Sequence, residues 1–190
     1  MEIRLILNIG KEELRSRQKS FFKSIKELGA DVSILFSTTD IFYLTGFHFR
    51  PSERPIAFFT DMNNKTHLYV PRLEKEHAEE YAIIDFVHYY TEYPGTTHPM
   101  EILKDILLSW NFPKVSIGVD AKGYNSAKGY KGPEIKELLN TRSVVSLKGV
   151  VEKLRFVKSP DEIELIKESA RWGNERHDAF SLYAMPTSVA

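Results

Sequence analysis

Ala30-Asp31-Val32-Ser33-Ile34-Leu35-Phe36 opens the stretch that decides the fold, and Asp40-Ile41-Phe42-Tyr43-Leu44-Thr45-Gly46-Phe47 continues it toward Arg72. The run Val32–Phe36 is short, apolar and bounded by Gly29 on one side and Ser37-Thr38-Thr39 on the other, which reads as a central strand rather than a helix. Ile56-Ala57-Phe58-Phe59 and His67-Leu68-Tyr69-Val70 read as its partners. The turn signal Asp61-Met62-Asn63-Asn64 between them predicts a hairpin.

Upstream the periodicity is helical. Leu14, Phe21, Ile25 and Leu28 share one side, Lys19, Lys23 and Lys26 face out, and Gly29 is placed to end the helix. Asp40 is the expected cap of a short helical turn through Leu44. Downstream, Leu73–Glu80 reads as a charged surface helix, Ile83–Val87 as a strand, and Ile102, Leu103, Ile106 and Leu107 as one apolar helix face. Val115–Val119 reads as another buried strand, Pro133 as the start of a helix to about Leu139, and Ser143–Ser146 as a last strand. Ile3–Leu7 fits either a short strand or a packed arm. Strands separated by helices imply an α/β fold with a mixed sheet of five to six strands, part parallel and part hairpin, and helices on both faces.

From Ser159 the character changes. Ser159-Pro160-Asp161-Glu162 combines an N-cap serine, a proline at the first helical position and a glutamate placed for a capping box. Ile163, Ile166, Ala170, Gly173, His177 and Phe180 then recur at helical spacing. This predicts a domain over residues 1–150 and, over 151–190, a linker and a long amphipathic helix that opens a second domain.

Composition narrows the function. Twenty-six basic residues balance twenty-six acidic ones, so no overall field favours nucleic acid or an anionic membrane. The absence of cysteine removes disulfides, thiolate metal sites and a cysteine nucleophile. The apolar run near the N-terminus is too short for a signal peptide or a membrane span, and a cytoplasmic protein is the expectation.

Catalytic motifs are sparse. Glu74 and His77 stand in Glu-x-x-His spacing, which in metal-binding bundles requires a second such pair; a solvated helix face explains them better. Asp31, Asp40, Asp85 and Asp120 lie near predicted strand ends, where carboxylates can gather round metals, yet aspartate is equally favoured there as a cap or turn residue. Gly123 to Gly132 includes Lys131 but lacks the ending of a phosphate loop, and no Gly-x-Ser-x-Gly elbow is present. The loop Phe47-His48-Phe49-Arg50-Pro51-Ser52-Glu53-Arg54-Pro55 is the richest in groups suited to contact a partner, against the simpler reading of a surface loop with an Arg54–Glu53 pair.

Three segments in series carry a resemblance: Asp40–Phe47, then Tyr69-Val70-Pro71-Arg72-Leu73-Glu74, then Leu154-Arg155-Phe156-Val157-Lys158-Ser159-Pro160-Asp161-Glu162-Ile163. Together they resemble the N-terminal domain of the creatinase, prolidase and aminopeptidase P family, over about residues 12 to 185. The resemblance implies a ribonuclease-H-like α/β unit without catalytic residues or metal ligands of its own. The chemistry would belong to a following pita-bread domain, where two aspartates, a histidine and two glutamates hold two divalent metals such as manganese, cobalt or zinc. Met185-Pro186-Thr187 stands where relatives have a Pro-Gly-x-Thr-Glu-like turn, which suggests a truncated chain or an interrupted gene. The resemblance also implies a homo-oligomer, in which Arg54, Phe47, His48 and Phe49 contact substrate in a neighbouring subunit's active site. The chain alone is expected to be inactive. Two other readings stay open: a stand-alone protein- or peptide-binding assembly module, and a fragment of a creatinase-type hydrolase.

Overall fold

The computed structural model describes residues 9–91, 97–110, 114–124, 133–141 and 143–183, the last six as backbone only. Readings that fall on Ile3–Leu7, on Gly129 to Gly132 and on Met185–Thr187 lie outside these residues. Lys11–Phe156 forms one compact unit, and the described residues from Val157 onward belong to another.

The fold is α/β, with six strands in one mixed sheet. Strands β1 (Val32–Leu35), β2 (Ala57–Thr60), β3 (Thr66–Pro71), β4 (Phe86–Tyr90), β5 (Ile117–Val119) and β6 (Val144–Ser146) lie in the order β4-β3-β2-β1-β5-β6. β1, β2 and β3 pair antiparallel in turn, while β3–β4, β1–β5 and β5–β6 are parallel. The hairpin forms where the sequence places it. Its turn is held by Asp61, whose carboxylate accepts from the Asn63 and Lys65 amides at 2.8 and 2.9 Å, and Asn64 supplies the left-handed residue at φ 57°. All four residues of β1 are buried, as a strand covered on both faces requires.

Helices cover both faces. On one, α4 (Pro99–Ser109) and α5 (Ile135–Leu139) set Met100, Leu103, Leu107, Ile135 and Leu138 against Val32, Ile34 and Phe59. On the other, α1 (Lys11–Glu27), α2 (Thr38–Thr45), α3 (Lys75–Tyr81) and α6 (Val150–Phe156) cover Leu35, Phe58, Leu68 and Val70. The alternation of β1 side chains feeds both clusters, Val32 and Ile34 into the first and Leu35 into the second.

Three of the boundaries that differ from the sequence reading have a tertiary reason. The fourth strand begins at Phe86 rather than Ile83, because the Ile83 amide donates to Thr45 O at 2.8 Å and the Asp85 carboxylate accepts from the amide and hydroxyl of Thr66 at 2.8 Å. Helix α5 starts at Ile135 and not at Pro133, since the Ile135 amide donates to Lys122 O at 2.6 Å. Helix α1 ends at Glu27, leaving Leu28 48% exposed, and Gly29 turns the chain at φ +80° while the Ala30 amide closes onto Ile25 O.

The missing member of the α1 stripe is Gln18, buried between Leu14 and Phe21. Its amide nitrogen donates to Leu44 O at 2.9 Å and Ile83 O at 2.7 Å, tying α1 to the end of α2 and to the segment before β4. Polar burial also marks the opposite face, where His67 stacks between Phe59 and Phe86 and its Nδ1 lies 3.1 Å from His88 Nε2. Burial lowers His67 to about 4, with the neighbouring His88 adding to the effect, so the ring is neutral. Gly118 in β5 is a steric requirement: a Cβ there would stand 2.6 Å from the Leu147 side chain.

In the second unit α7 (Pro160–Tyr183) is the long C-terminal helix the sequence predicts. Its capping box is complete, with the Glu162 amide donating to Ser159 Oγ at 3.1 Å and the Ser159 amide to Glu162 Oε2 at 2.9 Å.

Gln18→Leu preserves bulk and removes both donors, leaving the Leu44 and Ile83 carbonyls unsatisfied. It is expected to destabilise the chain by about 2 kcal/mol, read as a lower urea midpoint at unchanged slope.

Candidate functional site

The sheet leaves β1 in one direction, through β2 to β4, and returns on β1's other side with β5 and β6. A crevice therefore opens beyond the carboxyl ends of the parallel neighbours β1 and β5, the position where open α/β sheets place ligands. It forms a cavity of about 370 Å³ lined by Phe36, Ser37, Asp40, Asp120, Lys148 and Glu152, among others.

Asp120, directly after β5, holds the crevice together. Its carboxylate accepts from the Phe36 amide at 2.9 and 3.0 Å and from the Ser37 amide at 2.8 Å. Those amides lead into α2, so the carboxylate also sits where the helix dipole favours negative charge. Burial nevertheless outweighs these bonds and raises its pKa above the ordinary range.

The α2 cap differs from the sequence expectation. Ser37, not Asp40, is the N-cap, and its hydroxyl accepts from the Asp40 amide at 3.3 Å. Asp40 occupies the third helical position, from which an acidic side chain ordinarily reaches back to the N-cap amide. Asp120 already holds that amide. The Asp40 carboxyl instead lines the cavity with only 7% of its side chain exposed, and the nearest cation, Arg155, is 3.9 Å away. Burial, then the charges of Glu152 and Asp120, raise its pKa to about 6.

Of the four aspartates near predicted strand ends, the structure brings Asp40 and Asp120 together and sends the others elsewhere. Asp31 accepts from the Ser116 amide at 3.0 Å, and Asp85 caps Thr66. Among the described residues no group of three histidine, aspartate or glutamate side chains is arranged to hold a metal. Glu74 and His77 form a hydrogen-bonded pair at 2.8 Å, with the imidazole 4.9 Å from the Phe47 ring.

The loop from Phe47 to Pro55 is anchored at several points. Phe47 is wholly buried and stacks on Phe49, so it fixes the loop from below and is not part of the exposed surface. The Tyr124 hydroxyl donates to Ser52 O at 2.6 Å and the Tyr90 hydroxyl to Pro55 O at 3.0 Å. Burial pushes Tyr124 up to about 12, which keeps that donor protonated. His48 is exposed and meets Phe42 edge-on at 5.9 Å; Phe49 is half-buried. Arg54 is partly exposed and pairs with Glu53 at 3.7 Å. Sequence reasoning picked out this loop by composition but missed the crevice, whose members stand far apart in the chain.

The creatinase/prolidase N-terminal domain model matches residues 17–157. The chain belongs to that family. Among relatives of this domain is the Bacillus subtilis (strain 168) protein named "Putative dipeptidase YkvY", 25% identical over 147 residues, covering 77% of this chain and 39% of that one. The Staphylococcus haemolyticus protein named "Uncharacterized peptidase SH1217" is 26% identical over 156 residues, covering 82% and 41%. Among solved structures, an Xaa-Pro dipeptidase from Bacillus anthracis superposes with TM-score 0.69 at 16% identity over 91% of this chain and 44% of that one. A proline dipeptidase from Streptococcus pneumoniae gives 0.58 at 22% identity, over 74% of this chain and 98% of that one. At these identities the structural likeness speaks for the fold. The chain spans about two fifths of the curated relatives it matches.

Because its folded-state pKa is raised, Asp40 favours the folded state most when protonated; that contribution is present at low pH and is lost as pH rises from about 4 to about 6. Asp40→Asn is therefore expected to gain about 1 kcal/mol over wild type above pH 6, and the gain should shrink toward pH 4. His67 titrates in the opposite sense but is common to both proteins, so the difference between their pH–stability curves isolates Asp40.

Proposed function

We propose that this domain is the non-catalytic N-terminal part of an Xaa-Pro metallopeptidase, and that it assembles subunits and shapes the mouth of a neighbour's active site. The observation that carries the proposal is the anchored loop Phe47–Pro55, together with membership of the family. Its backbone is fixed through Tyr90, Tyr124 and Phe47, while His48 is exposed and Arg54 partly so. An exposed Arg54–Glu53 pair contributes little stability, so its guanidinium exchanges readily onto another carboxylate. Arginine can hold a substrate carboxylate with two parallel hydrogen bonds, which lysine does not reproduce. In this reading Arg54 and His48 make the contact, Phe49 walls it and Phe47 supports them.

The catalytic chemistry is assigned to a following domain holding two divalent ions, manganese, cobalt or zinc, and the parent protein to the cytoplasm. That domain, with a second copy of this chain, is the proposed partner. A metal pair there would generate a hydroxide nucleophile and polarise the scissile carbonyl. Creatinase-type hydrolysis and a peptidase-free assembly module are the competing readings; a peptidase frame continuing beyond residue 190 in the gene favours the present one.

The 190-residue chain with added manganese, cobalt or zinc is expected to release no proline from an Xaa-Pro dipeptide; turnover by it would overturn the division of labour. In the enzyme that carries this domain, Arg54→Ala is expected to reduce kcat/KM about tenfold or more with the oligomer intact, and Arg54→Lys to recover only part of the loss. Unchanged kinetics in both variants would remove Arg54 from the site.

A further inference from the structure

We propose that the crevice beyond β1 and β5 binds a small organic ligand through a primary ammonium group, which Asp40 and Glu152 receive while Phe36 and Ala121 pack against the ligand's stem. The proposal is separate from the peptidase reading and concerns the opposite end of α2 from the loop just described.

Charge sets the sign of the ligand. Among the described residues the lining contains Asp40, Asp120 and Glu152 against Lys148. Arg155, on the same helix as Glu152, approaches Asp40 only to 3.9 Å, beyond hydrogen-bonding distance. Asp120 is occupied by the Phe36 and Ser37 amides, whereas Asp40 has the Ser37 hydroxyl as its side-chain hydrogen-bond partner. A carboxylate more than nine-tenths buried, facing a cavity and with its paired cation no nearer than 3.9 Å, is a costly arrangement that a cation entering the cavity relieves.

Size and donor set then choose the kind of cation. About 370 Å³ is far more than a bare ion fills. The Asp120 oxygens already accept backbone hydrogens, and no three-ligand metal group occurs among the described residues. An ammonium carries three donors, enough for Asp40 and Glu152 together. Its stem would lie along Phe36 and Ala121, and Lys148 at the rim disfavours a second positive charge at the far end. Burial of the Asp40 carboxyl links binding to proton release, because a cation is received only by the ionised form. The charged groups around Asp40 are Asp120 beyond β5, Lys148 in the turn before α6, and Glu152 and Arg155 on α6.

The test is titration of the ¹⁵N-labelled 190-residue chain with n-butylammonium chloride at about pH 7.5, with n-butanol and magnesium chloride as separate controls. Saturable amide shifts at Ser37, Ala121 and Gly149 are expected from the ammonium and not from the alcohol. Glu152→Gln, an exposed position, should weaken binding about fivefold without loss of spectral dispersion. Wild-type affinity should fall about tenfold between pH 7.5 and pH 5, a dependence that Asp40→Asn abolishes. No saturable shift overturns the proposal, as does an equal response to butanol. Magnesium binding the same amides as tightly as the ammonium, or a Glu152→Gln variant that binds like wild type, overturns it too.

Discussion

Asp120 accepting the amides of Phe36 and Ser37 is the contact on which this end of the molecule depends. A parallel pair such as β1 and β5 fixes only the strands themselves, and the chain leaving each is free to diverge. One carboxylate directly after β5 binds the first two residues beyond β1 and so sets the direction in which α2 departs. That in turn orients the buried side of α2, Ile41 and Leu44, over Leu35 and Phe58. It also frees Asp40 from the capping duty its position would give it. The cavity, its charge and the elevated acid are consequences of one substitution of partners at a helix start.

A second constraint runs from α1. Gln18 joins two carbonyls, at Leu44 and Ile83, that lie at the ends of separate elements. The end of α2 is thus held by a side-chain amide as its beginning is held by a carboxylate. Between these two fixed ends the loop Phe47–Pro55 starts from a defined point, with Gly46 in the left-handed conformation and its amide closing onto Phe42 O at 2.8 Å.

Features that depend on nearby residues were legible in the sequence. The hairpin with its Asp61 turn, the buried strand Val32–Phe36, the Gly29 helix stop and the Ser159–Glu162 capping box are each written within a few positions. The mixed sheet with helices on both faces follows from their order. What the sequence did not disclose are partnerships across the chain. Ser37 meets an aspartate 83 residues away, and nothing local distinguishes Asp120 from Asp31 or Asp85, which have equally plausible turn roles. Gln18 is absent from the apolar stripe that the sequence shows, because its two acceptors belong to distant elements. The composition of Phe47–Pro55 drew attention to the loop as a whole but could not separate Phe47, which is interior, from His48, which is not.

Gly118 carries a consequence for how this surface can vary. The Leu147 side chain fills the place where a Cβ would stand, and the turn that follows Leu147 delivers Lys148 and Gly149 to the crevice. An added methyl at position 118 would push on the far side of the β5–β6 pair and move that turn outward. The outline of the opening is therefore governed by a hydrogen atom in the middle of a strand, at a residue that never touches the opening. Sequence drift among the lining residues would change what the crevice prefers, whereas drift at this one inner position would change whether it has a fixed shape.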